Sequence, residues 1–141
     1  MPQTSVLPIA ADRCVASQPF ECSWRPGGSD AAWVHVAGEM DLANTPELRR
    51  ALRDAQLYAR VVVLDLREVA FIESSGVHVI LDAAANVEPG NGRLILVRGP
   101  AQVDRVLALT GVSSQVLIVD LNPSEAPVRP LLHLAQRRAA A

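Results

Sequence analysis

The chain has 141 residues, half of them hydrophobic and a fifth charged, with a formal net charge of −2. That length suits one domain with its own core, and an aromatic content of 4% leaves the core to Val, Leu, Ile and Ala. The acidic balance offers no basic field to a nucleic-acid backbone, and no apolar run reaches the roughly 18–20 residues of a membrane helix.

Residues 1–18 mix Pro, Ser, Thr and Ala without a period and read as a flexible N-terminal leader, with the domain over 19–141. Met1 to Ala11 lacks the basic start and apolar stretch of a signal peptide, so a cytoplasmic protein with no membrane partner is expected. Cys14 and Cys22 belong to no CxxC pair. They read as free thiols in a reducing compartment, with a disulfide closing the short loop as the alternative. Phe20–Trp24 alternates apolar and polar, Pro26–Asp30 is a Gly/Pro loop, and Ala32–Ala37 is β-rich, which together predict a hairpin.

Gly38 to Glu47 follows as a connection in which Asn44 or Thr45 caps a helix, with Pro46 and Glu47 in its first turn. Leu48, Ala51, Leu52 and Ala55 form its apolar stripe, and the helix runs to about Tyr58. Val61–Leu66 is a continuous apolar run, the mark of a strand covered on both faces. After Phe71-Ile72-Glu73-Ser74-Ser75-Gly76 a second helix is predicted, with Val77, Ile80, Leu81 and Ala84 on one side and His78, Asp82 and Asn86 on the other. Arg93–Val97 and Val116–Val119 read as strands around a third helix that starts at Gly99-Pro100 and stops at Gly111. Val128–Arg138 reads as a fourth helix. The alternation predicts an α/β fold, a mixed sheet of about four to five strands with about four helices packed on it.

The informative stretch is Asp65 to Gly76, where a buried strand gives way to two serines and a glycine at a helix start. Sites in open α/β sheets gather beyond the carboxyl ends of the strands. A serine there lies near free backbone N–H groups and the positive end of the helix dipole, which tolerate a phosphate. The plain alternative is that Ser74 or Ser75 is an N-cap worth about 1 kcal/mol. Asp41, just before the first helix, is either a capping aid or a partner contact. Gly76 either eases the turn or lets a partner backbone approach.

Val36-Ala37-Gly38-Glu39-Met40-Asp41-Leu42, Val62-Val63-Leu64-Asp65-Leu66 and Phe71-Ile72-Glu73-Ser74-Ser75-Gly76-Val77 resemble the successive motifs of STAS domains, above all those of bacterial anti-sigma factor antagonists. Gly99-Pro100-Ala101 through Leu109-Thr110-Gly111-Val112 resembles the family's third-helix segment. The likeness spans Trp33 to Asp120 in order and spacing. It implies a module that binds an anti-sigma factor and so releases a sigma factor. That anti-sigma factor is also a serine kinase using ATP and magnesium. It implies that the kinase phosphorylates the residue matching Ser74, which ends the interaction, and that a metal-dependent serine phosphatase reverses it. ATP and metal belong to those partners, so the chain itself is expected to need no cofactor. The implied partner surface comprises Asp41, Glu73, Ser74, Ser75, Gly76 and His78. Glu73 stands where the family usually has Asp, one methylene longer, which leaves a non-phosphorylated adaptor of the same fold as the second reading.

Other classes are weaker. Ser74, His78 and Asp82 follow at helical spacing but form no GxSxG elbow, so no catalytic residues are expected. A ligand-sensing module in a larger signalling complex has too little chain before the first strand for a sensory domain. His35, His78 and His133 fall on different elements, so no metal site is expected, and a second copy of the chain stays open as a partner.

Overall fold

The computed structural model describes residues 19–27, 30–87, 92–122 and 125–126. In chain order the elements are strands β1 (Glu21–Pro26) and β2 (Ala31–Met40), helix α1 (Thr45–Tyr58), β3 (Val61–Ile72), α2 (Ser74–Ala85), β4 (Arg93–Val97), α3 (Ala101–Leu109) and β5 (Leu117–Val119). Single 3-10 turns at Leu42–Asn44 and Val112–Ser114 follow β2 and α3. The five strands form one sheet in the order β1-β2-β3-β4-β5. The β1–β2 hairpin is antiparallel, whereas β2, β3, β4 and β5 are mutually parallel neighbours, so the sheet is mixed. Pro26 ends the edge strand β1, where a missing N–H costs no ladder bond.

Each parallel pair is joined through a helix, and the crossovers step the same way across the sheet. Crossovers of one hand then place all three helices on one face. The packing agrees: Leu48, Leu52 and Ala55 of α1, Val77 and Ile80 of α2, and Val103 and Leu107 of α3 share one core with Val34, Val36, Leu64, Leu66 and Leu96. The predicted stripe of α1 is the buried one. Helix α2 buries a face shifted from its predicted stripe: Val77 and Ile80 are buried as expected, Leu81 and Ala84 are only partly buried, and Gly76, Val79 and Ala83 are buried in addition. The reason is that α1 lies alongside it, where the Gln56 amide donates to the Ala83 carbonyl at 2.8 Å. On the opposite sheet face Val63, Ile95 and Val97 form a second, smaller cluster.

The strands run further than their apolar runs suggest. β2 continues from Ala37 to Met40 and β3 from Leu66 to Ile72, still paired, with register shifts between His35 and Ala37 and between Gly38 and Glu39. Gly38 takes a φ of 91°, a conformation that lets β2 absorb an irregularity. The bulge breaks the two-residue alternation, so the second half of β3 carries no strand period. Asp65, 3% exposed, is the buried charge of the bulge, and the Arg67 guanidinium forks onto it at 2.9 and 3.0 Å. A third helix ends at Gly111, whose φ of 85° is the expected left-handed stop. The leader over residues 1–18 and the fourth helix over Val128–Arg138 lie outside the described residues, so three α-helices are described where about four were expected.

Cys22, on β1, carries a free thiol, and Cys14 lies outside the described residues. Burial, helped by the charge of Glu47, pushes the Cys22 thiol up to about 12. The thiolate is the reactive species, so at pH 8 the folded chain should hold about a thousandfold less of it than an ordinary thiol. In a Cys14→Ser variant, alkylation of Cys22 by iodoacetamide at pH 8 is expected to be at least ~100-fold slower in the native chain than in urea. Equal rates would show that the β1 edge does not shield the thiol.

Candidate partner-binding site

The candidate residues come from two chain segments that the β2–β3 pairing brings together. Met40 and Ile72 are register partners at the ends of the two strands. One residue on, the Glu73 N–H donates to the Met40 carbonyl at 3.0 Å, so the start of α2 is bonded to the end of β2. Asp41 and Ser74 therefore lead off from the same edge of the sheet, beyond the carboxyl ends of β2 and β3.

Glu73 is the extended N-cap residue of α2, and its side chain makes no capping bond. Ser74 is the first helical residue, and its side chain is exposed. Neither serine caps the helix: the capping expectation for Ser74 and Ser75 is not met, because the residue in the cap position is Glu73. Ser75 is half-buried and its hydroxyl is enclosed without a hydrogen-bond partner among the protein groups. The first N–H groups of α2 have no carbonyl one turn earlier to bond, which leaves donors and the positive dipole end beside Ser74.

Gly76 is buried. A Cβ at that position would lie 3.2 Å from the Met40 Cβ, the Met40 carbonyl oxygen and the Ile72 Cγ1. Its small size thus serves the close approach of α2 to β2 inside this chain. The expectation that Gly76 admits a partner backbone is corrected on that ground, since the space is already filled.

Asp41 opens the 3-10 turn, and its side chain makes no capping bond either. One carboxylate oxygen is buried without a protein donor. The turn is held instead by Asn44, whose amide donates to the Glu39 carbonyl at 2.8 Å and whose N–H donates to the Asp41 carbonyl at 3.0 Å. The Thr45 hydroxyl donates to the Leu42 carbonyl at 3.0 Å. Asn44 and Thr45 do lead into α1, as expected, but their side chains bond backwards rather than cap forwards.

His78 is exposed on α2 one turn beyond Ser74. Asp82, the next in that row, is drawn aside by Arg49 of α1 at 2.9 Å, so the row does not assemble as Ser, His and Asp. His35 of β2 faces Glu68 of β3 at 3.8 Å across the bulge, and no group of three or more metal-ligating side chains occurs among the described residues. Clefts of about 570 Å³, lined by Arg53, Gln56 and Asn86, and about 650 Å³, lined by Trp33, Asp65 and Arg98, lie elsewhere and do not include Ser74.

Two residues of this edge lie within the motif segments but carry no site role in the sequence. Leu42 is 71% exposed on the 3-10 turn and Phe71 is 45% exposed near the end of β3. The signal for them in the sequence is a place in those segments and apolar character outside any helical stripe.

A five-stranded mixed sheet with helices on one face and a serine-led helix start at its carboxyl edge is the frame of a small regulatory binding domain. The STAS domain family model matches residues 27–126, and the chain belongs to that family. It is 29% identical to the anti-sigma-B factor antagonist of Listeria monocytogenes over 86 residues, 60% of this chain and 75% of the relative. An anti-sigma factor antagonist from Mycobacterium paratuberculosis has the same fold, with a TM-score of 0.70 and 21% identity over 86% of this chain and 98% of that one. So has the anti-sigma factor antagonist SpoIIAA, at 0.64 in its unphosphorylated form (18% identity over 87% and 98%). In its phosphorylated form the score is 0.58 (19% identity over 85% and 98%).

The two serines should differ in energetic role from an N-cap. Ser74→Ala is expected to leave the urea unfolding free energy within about 0.5 kcal/mol of the wild type, because the residue is exposed and its hydroxyl has no hydrogen bond among the described residues. Ser75→Ala should be neutral or stabilising by up to ~1 kcal/mol, because it removes an enclosed hydroxyl with no partner. A loss of about 1 kcal/mol or more at either position would restore the capping role.

Proposed function

We propose that the chain is an anti-sigma factor antagonist, a binding module without catalytic activity that works in the cytoplasm. Its partner is a serine-kinase anti-sigma factor, and its docking frees a sigma factor. Ser74 is the phosphoacceptor that switches the interaction off, and a metal-dependent phosphatase restores it. The contact surface is built from Asp41, Glu73, Ser74 and His78, with Ser75 and Gly76 shaping the helix start behind them. The observation that carries this reading is the exposed Ser74 at the first position of α2, with no side-chain hydrogen bond among the described residues, in a chain 29% identical over 86 residues to a relative named as an anti-sigma-B factor antagonist.

The switch needs no change of fold. A phosphate adds about −1.5 to −2 charges and three acceptor oxygens, which the helix N-terminus tolerates. It adds bulk where the partner surface must come close. It also sets like charge against the nucleotide phosphates that a kinase holds opposite its acceptor. A loss of ~3–4 kcal/mol of binding free energy is several hundredfold in affinity, enough to release a partner.

Glu73 favours a second reading. Its carboxylate lies one methylene beyond the usual Asp, and its side chain is exposed and uncommitted. If the kinase site requires the shorter arm, the chain is a constitutive adaptor with the same docking surface.

The test is incubation with candidate serine-kinase anti-sigma factors of the same genome and ATP-Mg, followed by intact and peptide mass spectrometry. The expected result is one phosphate on Ser74, absent in Ser74→Ala, and loss of the complex on modification. Binding without any phosphate would establish the adaptor. Neither binding nor phosphate with any candidate would refute the sigma-factor reading.

A further inference from the structure

Among the described residues five large apolar side chains are exposed: Leu42, Leu57, Tyr58, Phe71 and Leu109. Two of them, Leu42 and Phe71, stand on the two segments that frame Ser74. Neither sits on a loose backbone. The turn that carries Leu42 is held by the three bonds of Asn44 and Thr45, at 2.8, 3.0 and 3.0 Å. Phe71 is paired in the sheet with Glu39, and the Gln102 amide of α3 donates to the neighbouring Ala70 carbonyl at 3.2 Å. Apolar groups fixed in water contribute little to the fold, and such groups supply the cores of interfaces.

Four carboxylates stand near them in the chain. Glu39, Asp41, Glu47 and Glu73 lie on the same two segments and the first turn of α1, and none takes part in an ion pair among the described residues. The first cation of α1, Arg49, is held by Asp82 of α2.

We infer that Leu42 and Phe71 are the apolar anchors of the docking surface around Ser74, and that they fit a protein partner whose apolar pocket is edged by Lys or Arg. The inference rests on the reading of Ser74 as a partner contact and adds what the partner must present. The two anchors seat the partner on either side of the serine. The carboxylates then draw its basic rim into register, while the hydroxyl faces the centre. Recognition resides in the anchors and the rim, and phosphorylation acts only at the centre. Residues that select the partner are thereby separate from the residue that switches it.

The experiment measures Kd by calorimetry for the purified kinase partner with magnesium and a non-hydrolysable ATP analogue, so that phosphorylation does not end the complex. Leu42→Ala and Phe71→Ala are each expected to weaken binding about tenfold or more, in the range of interface anchors. Leu109→Ala, which removes an equally exposed leucine at the end of α3, should bind as the wild type does. Circular dichroism and melting curves matching the wild type show that the variants are folded. Raising salt from 50 to 500 mM should weaken the wild-type complex, as screening of a basic rim requires. Both alanine variants binding within twofold of a wild type that does bind would overturn the anchors and leave the Ser74 reading standing. A salt-independent wild-type affinity would overturn the basic rim. A wild type that binds no kinase would remove the Ser74 reading, and the anchors with it.

Discussion

The parallel pairing of β2 with β3, carried past a bulge to the ends of both strands, is what the rest of this molecule depends on. The regular part, from Ala31 opposite Val61 to His35 opposite Asp65, is ordinary core sheet. The part beyond is irregular, and without it Met40 and Ile72 would not be partners. The Glu73 N–H then meets the Met40 carbonyl, and the start of α2 is set against the 3-10 turn of the other segment. The bulge has its own physical cost, a carboxylate taken out of water. Asp65 is tolerated there because Arg67 forks onto both of its oxygens, and because the Arg67 N–H bonds it as well at 3.1 Å. The same guanidinium reaches the Asn122 carbonyl and ties the chain after β5 to the bulge.

From that constraint follows a separation of tasks. The elements behind the site are locked: Gly76 lets α2 press on Met40 and Ile72, and Arg49 and Gln56 hold α1 to α2. The groups in front of it are free. Ser74, Glu73 and His78 are exposed, and their side chains make no hydrogen bond or ion pair among the described residues. A hydroxyl with no structural bond can be modified without unfolding anything. A switch built this way changes affinity at the surface and leaves the core untouched, which suits a small domain of marginal stability.

The charge distribution supports the same division. Arg60 and Asp30 close the hairpin onto the start of β3 at the opposite end of the sheet, and the Arg60 guanidinium and N–H together hold the Asp30 carboxyl below its ordinary range. Arg98 bridges Asp104 and Asp120 at 2.6 and 2.7 Å. The cations of these pairs are thus committed to structure, whereas the carboxylates of the Ser74 edge are not. An acidic, apolar-studded edge beside a free hydroxyl is left as the chemically available surface of the helix-start end.

Much of this was legible in the residues. The helix stripe of Leu48, Ala51, Leu52 and Ala55, the apolar strand of Val61–Leu66, the stop at Gly111 and the motif order around Ser74 are local signals. Periodicity and turn chemistry write the elements into neighbouring residues and specify the fold class, and the motif resemblance points to the family. What the residues could not say is decided by contacts between distant segments. The strand character of Arg67–Ile72 comes from a partner strand and not from alternation. The capping position fell to Glu73 because β2 fixes where α2 begins. Gly76 turned inward because Met40 lies against it, and Asp82 left the Ser74 row because Arg49 reaches it from α1. Leu42 and Phe71 look like core residues in the sequence, since apolar character says nothing about direction. Only the tertiary structure, by bringing the ends of β2 and β3 together, turned them outward.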